Sequence, residues 1–224
     1  MRLTNPLKTD QKPMNKLLYA LLLLFVCQTA QAQSKFLRGI IYLNDGTTLT
    51  GLTKIPSRPY DKTIRFKVNR GAKASPIASS KIDSLVIMND FFQKKFVYGT
   101  CDLYDIKKNK VKTKDQKIWL ILSWKTDLME VYSVADFYEI KKEGNMKISG
   151  AYRIDFYLKK KGSENYFLVY NYFGENKQEY FNASSSYYCK DIPKLSRYLA
   201  NGGYKWDKVF QVAEAYDRYK KSAE

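Results

Sequence analysis

The distribution of hydrophobic and polar residues divides the chain into three parts. Residues 17–26 (LLYALLLLFV) form an unbroken apolar run. From residue 36 onward, short segments rich in aliphatic and aromatic side chains alternate with polar turns. The last 36 residues change to the i, i+3, i+4 spacing that is typical of amphipathic helices. The pattern therefore predicts a leader, a β-rich region and a helical end.

The apolar run predicts a cleaved signal peptide over residues 1–32. A helix that spans a bilayer needs about 20 apolar residues, so this run is too short to be a permanent transmembrane anchor. Ala30 and Ala32 provide the small side chains that a signal peptidase accepts, which places the cut between Ala32 and Gln33. Met14 precedes a short basic segment and is the expected true start.

Residues 33–188 are predicted to form a β-rich domain. In residues 63–69, Ile64, Phe66 and Val68 alternate with polar positions, as expected of a half-buried strand. Asp45-Gly46 lies between two apolar runs and favours the tight turn of a β-hairpin. About nine or ten such strands, with no long amphipathic helix among them, indicate a mainly β fold: an antiparallel sheet, a sandwich or an open barrel.

Residues 189–224 predict a C-terminal αα-hairpin. Asp191 is expected to cap a first helix, which carries Pro193 in its first turn and ends at Gly202. Asp207 is expected to start a second helix whose apolar residues are Val209, Val212, Ala213 and Tyr216. We expect this hairpin to pack on the β-rich domain and cover an edge of its sheet. A groove for a partner protein is the alternative use of the apolar stripe.

The chain is strongly basic, with a formal net charge of +17. The predicted leader holds four basic residues and one aspartate, so its removal lowers this charge to +14. Such a charge favours anionic partners, including lipid headgroups and acidic glycans, whereas export disfavours nucleic acid. However, 31 of the 39 basic residues are lysines, a bias that an AT-rich genome also produces without selection for binding.

Cysteine and histidine usage restricts the chemistry. The sequence contains no histidine, which excludes Ser-His-Asp and Cys-His catalysis and the usual zinc sites. We predict no catalytic, metal or cofactor-binding residue. Because Cys27 leaves with the leader, Cys101 and Cys189 are the remaining pair. They form either a disulfide in an oxidising compartment or two buried thiols.

A lysine-rich segment is the main candidate for contacts with anions. Its members are Lys107, Lys108, Lys110, Lys112 and Lys114. Lysines beside an anionic bilayer contribute about 1 kcal/mol each, so this segment is able to hold the protein at a membrane surface. The alternative is a solvated loop that keeps the protein soluble. Aromatic residues also permit a sugar-stacking surface, although packing within strands explains most of them.

A carboxylate pair is the remaining route to an enzyme. Glycoside hydrolysis needs two carboxyl groups about 5 to 10 Å apart across a cleft. The candidates are Asp102, Asp105, Asp136, Glu139 and Asp155. They qualify only if folding brings two of them together, and solvated positions on the surface are the alternative.

Two segments resemble a loose group of secreted proteins from Bacteroidota. These are the run Gly39–Gly46 (GIIYLNDG), followed by Leu49 and Gly51, and the entry to the terminal helices at Cys189–Leu195. The resemblance covers most of the chain after the leader. It implies an exported β-rich protein with a C-terminal helical hairpin. Because its motifs are turns and caps, it implies no catalytic residue.

These features together favour a non-catalytic binding or structural module of the cell envelope, periplasmic or associated with the outer membrane. The expected partners are an envelope protein, an anionic lipid or a glycan. A carboxylate-dependent hydrolase that acts on an envelope polymer is the alternative.

Overall fold

The computed structural model describes residues 36–90, 92–136, 138–140, 146–147 and 154–222. The predicted leader, with its cleavage position between Ala32 and Gln33, lies outside the described residues. The described strands are β1 (Leu37–Leu43), β2 (Thr48–Thr53), β3 (Thr63–Lys67), β4 (Ser75–Ala78), β5 (Ile82–Met88), β6 (Gln93–Gly99), β7 (Cys101–Asp105), β8 (Lys110–Thr113), β9 (Ile118–Lys125), β10 (Met129–Ala135), β11 (Glu139–Ile140), β12 (Met146–Lys147), β13 (Ile154–Lys160) and β14 (Tyr166–Tyr170). The described helices are α1 (Lys177–Tyr188), α2 (Pro193–Ala200) and α3 (Val209–Lys221).

Twelve of the described strands form one sheet, in the order β4-β3-β2-β1-β5-β6-β9-β10-β13-β14-β7-β8, and β11 pairs with β12 separately. Every neighbouring pair is antiparallel except β14 and β7, which run parallel. The mainly β, antiparallel fold is confirmed. The described strands outnumber the predicted nine or ten, because short strands such as β4 and β8 lack a long apolar run.

The sheet closes on itself at the junction of β6 and β7. These strands are separated only by Thr100, yet β6 pairs with β9 and β7 pairs with β14. The series β6-β9-β10-β13-β14-β7 therefore returns to the chain segment from which it started and forms a small barrel. Its interior is a buried cluster made of Val97, Cys101, Ile118, Leu120, Tyr132, Val134, Tyr157, Tyr166 and Leu168.

The absence of a side chain at Gly99 permits this closure. A Cβ atom at Gly99 would lie 2.2 Å from Cε2 of Tyr166. The Tyr166 ring also makes an edge-to-face contact with Tyr132, at a centroid distance of 4.8 Å. The backbone N–H of Tyr166 also donates to the carbonyl oxygen of Thr100, at 3.0 Å. Tyr166 therefore fills the space that a larger residue at position 99 would need.

The remaining strands extend the sheet beyond the barrel and enclose a second core. Strands β1, β3, β5, β6 and β9 contribute to it, with members that include Ile41, Ile64, Leu85, Phe96 and Trp119. Both edges of the sheet carry residues that discourage pairing with another chain. One edge strand, β4, contains Pro76, and the other, β8, contains Lys110 and Lys112.

The helices cover a third core on the other side of β10, β13 and β14. α1 lies against β14, and α3 lies against β10. Buried members of this core include Val131, Leu158, Val169, Phe181, Leu199 and Val212. α2 and α3 confirm the two predicted helices. The helical segment, however, begins at Lys177, within the range that was predicted to be β-rich.

Serines on the buried face of α1 explain why its sequence pattern is weak. Ser184 and Ser185 are fully buried beside Phe181. The Ser184 hydroxyl donates to the carbonyl oxygen of Val169 at 2.9 Å, and the Ser185 hydroxyl donates to that of Phe181. These hydrogen bonds satisfy the buried hydroxyl groups, so a polar residue occupies a core position without a large penalty.

Asp191 links the helices to the sheet and does not cap α2, so the expectation of a cap there is wrong. α2 is preceded by Ile192, with no side-chain cap. The Asp191 carboxylate accepts hydrogen bonds from Nζ of Lys160 at 2.6 Å and from the hydroxyl of Tyr216 at 2.7 Å, and it pairs with Lys220. Partial burial opposes ionisation, but these partners outweigh it and hold the pKa of Asp191 well below its usual range.

Replacing Gly99 with alanine should destabilise the barrel, because the added methyl group overlaps the Tyr166 ring. We expect the free energy of unfolding to fall by about 1–3 kcal/mol, the usual cost of overpacking. Urea denaturation followed by circular dichroism measures this change. Gly71→Ala is the matched control, since the nearest atom to a Cβ there lies 3.7 Å away. Equal stability of the Gly99→Ala variant and the control would contradict the closure argument.

Candidate functional site

The loop between β2 and β3 crosses the barrel beside β9. The backbone N–H of Trp119 donates to the carbonyl oxygen of Pro59 at 2.8 Å, and that of Tyr138 donates to the carbonyl oxygen of Ser57 at 3.0 Å. The indole N–H of Trp119 donates to the carbonyl oxygen of Asp61 at 3.1 Å. Because the loop is joined to the barrel at these points, its position is defined by the fold.

The carboxylate of Asp61 stiffens this loop from within. It accepts hydrogen bonds from the backbone N–H of Ser57 at 2.7 Å, from the Ser57 hydroxyl at 3.0 Å and from the backbone N–H of Arg58 at 3.1 Å. Hydrogen bonds to a charged acceptor are stronger than those between neutral groups. The loop therefore presents Arg58 and Tyr60 from a preorganised backbone. The side chain of Tyr60 is 45% exposed.

A cavity of about 380 Å³ lies between this loop and one end of the barrel, and we call it the barrel-mouth cleft. It is lined by Arg58, Pro59, Tyr60, Ile118, Val134, Asp136 and Tyr157. Its volume is within the range of about 300–1,000 Å³ that is typical of ligand pockets. Ile118, Val134 and Tyr157 also belong to the barrel interior, so the fold itself builds an apolar floor.

Sequence reasoning named Asp136 as a carboxylate candidate but missed the other polar residues of the cleft. The segment that contains Arg58 and Tyr60 has no pattern that distinguishes it from an ordinary loop. The sole local signal was Pro56 and Pro59, which stiffen a chain. The contact between this loop and β9 joins residues about 60 positions apart, so it cannot be predicted from a local sequence pattern.

The five candidate lysines come together in the β7–β8 hairpin. Lys107 and Lys108 lie in its turn, while Lys110 and Lys112 alternate along β8, and Lys114 follows the strand. Lys112 pairs with Leu103, and Lys110 pairs with Asp105. Within the part of the chain that the structure describes, none of the five forms an ion pair.

Two apolar side chains are exposed among these lysines. Ile106 in the turn is 40% exposed, and Val111 in β8 is 38% exposed. The turn is held by the Asp105 carboxylate, which accepts a hydrogen bond from the backbone N–H of Lys108 at 3.1 Å, and by Asn109 in a left-handed conformation. The lysine-rich hairpin therefore also exposes two aliphatic side chains.

Three of the candidate carboxylates have local structural roles. Asp102 accepts hydrogen bonds from the hydroxyl of Thr113 and from the amide of Asn165, and Asp105 holds the hairpin turn. Asp155 is buried and accepts a hydrogen bond from the backbone N–H of Tyr172 at 3.0 Å. The side chain of Glu139 lies outside the described part of the structure. Among the described residues that line the barrel-mouth cleft, Asp136 is the sole carboxylate.

Cys101 and Cys189 are free thiols, so the disulfide alternative is wrong in this structure. Cys101 lies inside the barrel, whereas Cys189 ends α1 within the helical core. Burial raises the pKa of both thiols to about 12, so both stay protonated at neutral pH. Within the described residues, no three His, Cys, Asp or Glu side chains are placed to hold a metal ion.

Comparison of the chain with protein-family models, curated proteins and solved structures gave no match. The resemblance to secreted proteins of Bacteroidota therefore stays a prediction. In the described ranges, no helix has both the length and the apolar character needed to cross a bilayer.

Replacing Asp61 with alanine should loosen the loop, because it removes the acceptor of three hydrogen bonds. We expect the amides of Ser57 and Arg58 to exchange hydrogen faster, and the free energy of unfolding to fall by about 1 kcal/mol. Amide exchange followed by NMR measures the first effect. Asp115→Ala, at an exposed position near β9, is the control. Unchanged exchange at both amides would show that Asp61 does not fix the loop.

Proposed function

We propose that the protein is an exported, non-catalytic binding module of the bacterial cell envelope, and that it contacts anionic lipid through the β7–β8 hairpin. The observation that carries the proposal is the exposure of Ile106 and Val111 among five lysines. This combination suits an interface in which lysines meet anionic headgroups and aliphatic groups enter the boundary of the acyl region.

Protection of the sheet edge accounts for only part of this arrangement. Lysines on an edge strand such as β8 prevent pairing with another chain. Exposed aliphatic side chains at the same edge have the opposite effect, because they promote association. A membrane contact accounts for both the lysines and the exposed aliphatic side chains, because the lysines bind headgroups and the aliphatic side chains enter the apolar boundary. Residues 105–117 contain six lysines and two aspartates, so the attraction to an anionic surface is not neutralised locally.

The described lining of the barrel-mouth cleft suits the binding role in the proposal. A glycosidase needs a second carboxylate opposite Asp136. Among the described lining residues, those with polar side chains beside Asp136 are Arg58, Tyr60 and Tyr157. This set suits hydrogen bonding to a bound molecule, whereas hydrolysis needs a carboxylic acid and a carboxylate on opposite sides of the scissile bond.

Export should leave a mature protein that begins at Gln33. Cell fractionation of the natural host, followed by N-terminal sequencing, measures both the compartment and the cut. Replacing Ala30 and Ala32 with arginine should block processing, since signal peptidase accepts only small residues there. Thr29→Ser is the control and should be processed normally. Recovery of the natural protein from the cytoplasm with residues 14–32 intact would refute the proposal.

The purified protein should bind vesicles that contain phosphatidylglycerol, and it should bind less at higher salt because the attraction is screened. Replacing Lys107, Lys108, Lys110, Lys112 and Lys114 with glutamine should reduce retention at least about tenfold, as follows from about 1 kcal/mol per lysine. Co-sedimentation measures the bound fraction. Phosphatidylcholine vesicles should retain little protein.

A matched variant separates hairpin binding from a general effect of charge. It replaces five exposed lysines on other elements with glutamine, namely Lys62, Lys73, Lys81, Lys205 and Lys208. We expect this variant to keep most of its binding. Equal loss in the two variants would show that net charge alone drives association. Full retention by the hairpin variant would remove the hairpin from the proposal.

A further inference from the structure

The barrel-mouth cleft differs in charge from the rest of the molecule. The chain as a whole carries a formal charge of +17, but the described residues that line the cleft include one cation, Arg58, and one anion, Asp136. The other lining residues that the structure describes are uncharged. Because an isolated anion or cation gains little from a balanced lining, the cleft favours a neutral ligand that both donates and accepts hydrogen bonds.

The two charged side chains have enough hydrogen-bonding capacity for such a ligand. A guanidinium group carries five N–H donors, and a carboxylate accepts at about four sites. Both side chains also make contacts within the protein, which use part of this capacity. Neighbouring hydroxyl groups on a ligand are able to donate to Asp136 and accept from Arg58 at the same time.

The rest of the described lining is apolar or aromatic. Tyr60 stands at the rim with 45% of its surface exposed, while Ile118, Val134 and Tyr157 form the buried floor. An aromatic face packs against a flat array of C–H groups. The cleft therefore combines an apolar and aromatic surface with two charged groups that form hydrogen bonds. A pyranose ring matches this combination, because it has an apolar C–H face and hydroxyl groups around its edge.

We infer that the barrel-mouth cleft binds a neutral sugar unit of an oligosaccharide. The ring of Tyr60 packs against the C–H face of the sugar, and Arg58 and Asp136 hydrogen-bond its hydroxyl groups. The hydrogen-bonded loop supplies the necessary rigidity, since Arg58 and Tyr60 flank the anchored Pro59. Preorganisation of this kind lowers the entropic cost of binding.

Saturation-transfer NMR and titration calorimetry test the inference on the purified protein. The neutral probes are maltotetraose, cellotetraose and chitotetraose, and the charged probes are tetragalacturonate and the zwitterionic dipeptide Ala-Ala. We expect at least one neutral probe to bind more tightly than both charged probes. Tyr60→Ala and Asp136→Asn should each weaken that binding about tenfold, and Tyr60→Phe should retain it.

Matched controls separate the cleft from the rest of the surface. Tyr42→Ala removes another exposed tyrosine, which is 38% exposed on β1, and Asp115→Asn removes another exposed carboxylate. Both should bind like the unmodified protein, as should the glutamine variant of the hairpin. Failure of all three neutral probes to bind would overturn the inference. So would tighter binding of a charged probe, or undiminished binding by Tyr60→Ala.

Discussion

The run of chain through Gly99 and Thr100 is the constraint on which the rest of the architecture depends. Here one strand leaves its partner β9 and joins β14, so a sheet that would otherwise stay open closes into a barrel. Closure requires the Tyr166 ring to occupy the space beside position 99, and only glycine leaves that space free. The buried interior and the accessible ends of the barrel both follow from this close contact between the Gly99 backbone and the Tyr166 ring.

Both candidate surfaces derive from this closure. At one end of the barrel, the loop around Pro59 rests on β9 and completes the barrel-mouth cleft. Beyond β14, the chain that closed the barrel continues as β7 and turns back as β8, which becomes the free edge of the sheet. The lysines therefore lie on and around an edge strand whose backbone is paired with the sheet on one side only. The helices pack on β10, β13 and β14, and α1 also contacts the hairpin, where the ring of Tyr104 stacks on that of Tyr187 at a centroid distance of 4.4 Å.

Local patterns predicted the elements that local forces determine. The alternation around Ile64 and Phe66, the Asp45-Gly46 turn and the apolar spacing of α3 each reflect interactions among near neighbours, and the structure contains all three. β8 was missed because its lysines give it no buried face. α1 was missed because buried serines interrupt its apolar stripe. The cleft was missed because Tyr60 and Asp136 are 76 positions apart, and only the tertiary fold brings them to one cavity.

The parallel pairing of β14 with β7 also bears on the order in which the molecule assembles. It joins Cys101 to Tyr166, 65 positions apart, whereas hairpins such as β1–β2 and β9–β10 join strands a few residues apart. Bringing distant segments together costs chain entropy that nearby contacts do not demand. We expect the hairpins to form early in folding and the barrel to close late. Until the barrel closes, Tyr132, Tyr157 and Tyr166 of its interior stay open to water, so this step sets how long the nascent protein exposes them.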